Sequence, residues 1–144
     1  MTEANPLTFL VPIKQEKAIQ DKAAAAVALF VPLVTAGLDS SGILHYANLS
    51  LVPNPEGKPG AYAVLLCTVF DGPMNPYLDF FWKNEGTKAA FKGIAEMALV
   101  PPKTEVKTPA DFQNFINDHN ISKGNGFYRG YPQSVEQIRA KFPK

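Results

Sequence analysis

At 144 residues the chain has the length of one domain and can bury a single substantial core. Its 46% hydrophobic and 19% charged residues are ordinary for a globular protein, and a formal net charge of +1 gives no electrostatic basis for nucleic acid or anionic lipid as the main partner. The lone Cys67 excludes an intrachain disulfide; inside an apolar run it reads as a small buried hydrophobe in a reducing, cytoplasmic setting.

The reading is of a single domain, 1–144, with residues 1–6 as a frayed end. Residues 7–13 alternate as a short strand, with Leu7, Phe9, Val11 and Ile13 on one face. From residue 15 to 30 the period becomes helical. Ile19, Ala23, Ala26, Phe30 and Leu33 form the inner stripe, and Pro32 is expected to kink or end the helix. Residues 23–38 are apolar but shorter than the ~20 residues of a membrane span, so a buried helix is expected and no membrane.

Residues 43–52 and 62–70 are apolar runs separated by the Pro/Gly-rich stretch 53–60, and read as two adjacent antiparallel strands at the centre of a sheet. On the first, His45 shares a face with Ala47, Leu49 and Leu51, while Tyr46, Asn48 and Ser50 share the other. Asp71-Gly72-Pro73 ends the second strand. Asn75-Pro76 reads as a helix start, and Gly86 as a break between an aromatic first half and an amphipathic second half. Thr108 with Asp111, and Ser134 with Gln137, have the spacing of capping boxes and predict two further helices. After a loop at 120–125, the aromatic stretch 126–131 reads as the last strand.

The order β-α-β-β-α-(α)-β-α implies an α+β fold, the ferredoxin-like βαββαβ plan with extra C-terminal helices and a four-stranded antiparallel sheet. Helices cover one face of such a sheet; the apolar other face is expected to pair with a second copy, giving a homodimer. In this arrangement, and in LHYANLSLVP, LLCTVFDG and FYRGYPQSVEQIRAKF, the chain resembles the dimeric α+β-barrel superfamily. That resemblance implies a pocket between two sheets, holding a small apolar or aromatic molecule. It implies activities such as those of cofactor-free monooxygenases, isomerases or haem peroxidases. Of the peroxidases' Gly-x-x-Asp-Gly motif only Asp71-Gly72 remains, without the leading Gly.

The candidate catalytic residues are His45, as base or as axial ligand if haem is bound, and Asp71, whose other reading is a turn or cap. The candidate ligand-binding residues are Tyr46, Asn48, Ser50, Tyr77, Phe81, Trp82 and Arg129. Each has a structural alternative: cross-strand bonds for Asn48 and Ser50, core or interface packing for the aromatics, an internal carboxylate for Arg129. His119 reads as a surface residue, and two His with one Cys make a structural zinc site very poor. GFYRGY echoes an RNA-binding strand, but no basic surface accompanies it. Two functions stand side by side: an oxidoreductase or isomerase acting on a small ligand, and a non-catalytic dimerisation or ligand-binding module.

Overall fold

The computed structural model describes residues 3–122 and 126–143. Residues 1–2 of the expected frayed end, and 123–125 of the loop, lie outside them. The order is β1 (Ala4–Pro12), α1 (Lys17–Ser41), β2 (Leu44–Pro53), a 3-10 turn, β3 (Ala61–Asp71), α2 (Met74–Lys83), α3 (Glu85–Met97), α4 (Pro109–His119) and α5 (Val135–Lys141). The three strands form one antiparallel sheet in the order β1-β3-β2.

This corrects the four-stranded expectation, and with it the ferredoxin-like plan and the barrel built from it. Residues 126–131 form no strand, although their composition favours one. The outer edge of β1 is already taken by other segments. Leu99 N donates to Pro12 O at 2.8 Å, Ile121 N donates to Thr8 O at 2.8 Å, and Lys14 N donates to Met97 O at 3.0 Å. Tyr128 and Tyr131 are left in solvent, 90% and 86% exposed. β1 also begins earlier than expected, since Ala4, Asn5 and Pro6 pair with Asp71, Phe70 and Val69.

Register assigns the faces. Leu7, Phe9 and Val11 lie opposite Thr68, Leu66 and Val64, which lie opposite Ala47, Leu49 and Leu51. This face carries the helices. Phe9 meets the edges of Phe91 and Phe115, and Phe91 meets Phe81 and Phe112, so aromatic side chains from β1, α2, α3 and α4 form one continuous core. No helix of the core cluster covers the other face, where Tyr46, Asn48 and Ser50 lie opposite or beside Val69, Cys67 and Leu65.

α1 runs through Pro32 for 25 residues instead of stopping near residue 30, and ends on Gly42 in the left-handed conformation (φ 66°). Gly42 meets no steric penalty there, whereas a side chain would. α1 lies very close to α3. A side-chain carbon at Gly86 would stand 2.6 Å from the Leu33 carbonyl oxygen. The break between α2 and α3 falls at Asn84, whose side chain accepts from Thr87 N at 3.1 Å; Gly86 sits just inside α3. Both capping boxes form as the sequence spacing predicts.

Candidate functional site

The two candidate catalytic residues meet. His45 Nε2 lies 2.7 Å from Asp71 Oδ1, with side chains 13% and 5% exposed. A register shift in β2 makes this possible: Leu44 pairs with Phe70 and Tyr46 with Val69, leaving His45 as the extra residue of a bulge. A bulge re-aims the side chain it carries. The second Asp71 oxygen, Oδ2, accepts from Val135 N at 2.7 Å, the first residue of α5. One carboxylate thus joins the start of β2, the end of β3 and the C-terminal helix. Arg139 of α5 adds a looser contact, 3.9 Å from Asp39 of α1.

His45 also borders a shallow groove of about 190 Å³ between α1 and β2, shared with Val31, Thr35 and Tyr46. Small-molecule pockets run to ~300–1,000 Å³. A haem does not fit here, and Nε2, one of the two ring nitrogens able to ligate iron, is already held by Asp71. Among the described residues no group of three His, Cys, Asp or Glu is placed to hold a metal ion.

The expected ligand-binding residues do not converge. Tyr46 is 76% exposed, and Ser50 Oγ donates to Asn48 Oδ1 at 3.0 Å; register puts all three on the open sheet face, and of the three only Tyr46 also borders the α1 groove with His45. Tyr77 and Phe81 are core residues. Tyr77 stacks on Phe70 at 3.9 Å and donates its hydroxyl to Thr68 Oγ1 at 2.6 Å. Burial holds that phenol far above its ordinary pKa, and the Thr68 bond offsets little of this. Trp82 packs on Phe112 with the Lys88 ammonium 4.1 Å above its ring. Arg129 donates from Nε to Ala4 O at 2.7 Å and from Nη2 to Asn5 Oδ1 at 3.0 Å, pinning the start of β1. Cys67 is exposed on the open face, not buried as its apolar context suggests.

His119 is better placed than its sequence position indicates. Its Nδ1 lies 2.9 Å from Phe115 O; a carbonyl only accepts, so Nδ1 carries the proton and Nε2 is the acceptor of the neutral ring. It borders a surface cleft of about 570 Å³ with Pro101, Pro102, Asn114 and Asp118. The nearby Asp111 is committed to its capping box. The Lys107 N–H, then the Thr108 hydroxyl, hold its carboxyl below the usual range.

An exposed apolar surface lies on α1. Leu29, Val31 and Leu33 are 61%, 66% and 47% exposed, within a stretch, 23–38, that has no charged residue. By length and composition α1 could cross a membrane, and only 17% of its most apolar window is buried. The inner stripe of Ala23, Phe30 and Val34 turns towards α3 and the sheet.

Comparison of the chain with protein-family models, with curated proteins and with solved structures finds no match.

Proposed function

We propose that the chain is an interaction module whose working surface is the exposed flank of α1 together with the neighbouring edge of β2. One observation carries this reading: a helix with sixteen consecutive uncharged residues, 23–38, keeps Leu29 and Val31 more than half exposed. Single exposed apolar residues are common, but here the whole outer side of α1, from Leu29 and Leu33 on one flank round to Val31 on the other, carries no charge, and such a surface marks one that something covers. The exposed, unpaired Cys67 accords with a reducing, cytoplasmic setting, which is part of the proposal.

A second reading rests on the His45–Asp71 bond. A carboxylate-held imidazole is how many general bases are oriented, and this one borders the α1–β2 groove. The groove would then take the small apolar or aromatic molecule expected from the sequence. Its small volume, and a lining that includes neither Asn48 nor Ser50, weigh against it.

A photo-crosslinking residue at position 31, with one at the exposed position 128 as control, separates the readings in cells. Protein adducts at 31 above the control level are expected. Their absence, together with a ligand-induced rise in melting temperature lost in His45→Ala, would favour the second reading.

A further inference from the structure

The interaction reading leaves the partner open, and the two edges of the sheet differ in a way that identifies it. Resting on that reading, we propose that the partner is a second copy of the chain, joined by antiparallel pairing of β2 with β2. The two three-stranded sheets become one of six strands, and the two α1 flanks meet above it.

The edge at β1 is closed by the bonds from Leu99 and Ile121, and Pro6 and Pro12 remove two donors along it. β2 forms the other edge. Among the described residues no hydrogen bond outside its ladder with β3 reaches the backbone of Leu44–Pro53. Natural edge strands are kept from pairing by charges, proline or short length. β2 has ten residues, no Asp, Glu, Lys or Arg, and one proline, at its last position.

A strand paired antiparallel with its own copy is related to it by a two-fold axis, so every side chain near the axis meets its own kind. A surface without charge tolerates this. Residues 40–55 carry none, like 23–38 on the helix. Val31 and Thr35 of α1 border the groove beside Tyr46 of β2, so pairing at β2 brings the Val31 sides of the two α1 helices together, while Leu29 and Leu33 stand on the other side of each helix. A ten-residue strand is ~33 Å long, and a sheet layer plus a helix layer, each ~10 Å deep, present ~600 Å² of facing section. That is the scale of the ~800 Å² per partner buried in stable complexes.

Other occupants satisfy half of this surface. An extended peptide would pair with β2 and leave the α1 flank bare. A bilayer would cover α1 and press the unpaired backbone of β2 against lipid, at several kcal/mol for each group. A second copy pairs the β2 backbone and covers the Val31 side of α1 together.

The test uses the full chain with Cys67→Ser and single cysteines at each position from 46 to 51, with sedimentation measured in parallel. A particle of twice the chain mass is expected, with disulfide capture confined to one or two adjacent positions around the two-fold axis. Asn48→Lys and Val31→Lys, both at exposed positions, should keep the fold by circular dichroism and weaken the dimer ~100-fold or more, because like charges then meet across the axis. A monomer at every concentration overturns the proposal. So does a dimer indifferent to both lysines, or a monomer that floats with neutral or anionic vesicles. Adducts at position 31 to a different protein also overturn it while leaving the interaction reading standing. No adduct at all sinks that reading itself.

Discussion

Removing the Asp71 carboxylate should loosen the C-terminal helix before it damages anything else. α5 contributes little apolar burial: Val135 is buried, but Ile138 and Phe142 are 40% and 71% exposed. Its attachment therefore depends on Asp71, which accepts from Val135 N and faces His45 Nε2, each at 2.7 Å. Asp71→Ala strands a buried N–H at ~1–3 kcal/mol and removes a bond to a carboxylate worth ~1.5–3 kcal/mol, ~4 kcal/mol together at the middle of both ranges. At ~3 °C per kcal/mol for a domain of this size, the melting temperature should fall by ~12 °C. Asp71→Asn retains one oxygen for Val135 N and should cost about half as much. Amide exchange in 135–141 should accelerate ahead of exchange in the sheet. A double-mutant cycle with His45→Ala should return a coupling of ~1 kcal/mol. A fall of under ~2 °C for Asp71→Ala, or zero coupling in the cycle, would refute the clasp.

Tyr77→Phe removes the buried bond to Thr68 and should cost ~1 kcal/mol in urea titration. The raised phenol of Tyr77 means that the folded state keeps a proton which the unfolded state releases. Its contribution is complete below pH about 10 and is lost as pH rises beyond that, so one of the five tyrosines should show its phenolate band only as the protein unfolds. Gly86→Ala forces a carbon against the Leu33 carbonyl and should destabilise by ~2 kcal/mol, whereas Gly93→Ala, with nothing within 4 Å, should stabilise by ~0.5–1 kcal/mol. Equal effects at the two glycines would contradict the close α1–α3 approach. Partial burial raises the Cys67 thiol, so less of it is thiolate at any given pH; iodoacetamide should alkylate it more slowly than free cysteine.

Signals that act over a few residues were legible in the sequence. Both capping boxes, the β2–β3 hairpin and the alternation of Leu7, Phe9 and Val11 appear where spacing places them. What failed depends on partners far away in the chain. The stretch 126–131 has strand composition, but Leu99 and Ile121 hold the β1 edge, and Arg129 is drawn to Ala4 O instead. Alternation puts His45 on a face with Ala47; a bulge, invisible to period-two counting, turns it to Asp71. The charge-free run 23–38 was visible, yet period alone does not reveal that half of it faces outward. Hydropathy points to burial, whereas exposure is set by how many layers cover the sheet. Three strands with helices on one face leave α1 on the outside.

The bulge and Pro53 also bear on why an unguarded edge need not lead to aggregation. Elsewhere such devices blunt a whole edge; here they stand at the two ends of β2, leaving 46–52 as the regular segment available to a partner. Register is then bounded on both sides, since sliding by one residue brings the bulge or the proline into the ladder and moves Tyr46, Asn48 and Ser50 to the wrong face. Pairing of β2 with itself, as proposed, would use up the edge left open among the described residues of each copy, because the β1 edge is closed by its own chain. A sheet with two open edges can grow without limit. With one, the proposed two-fold contact would end assembly, and the surface that would make the dimer would also stop it.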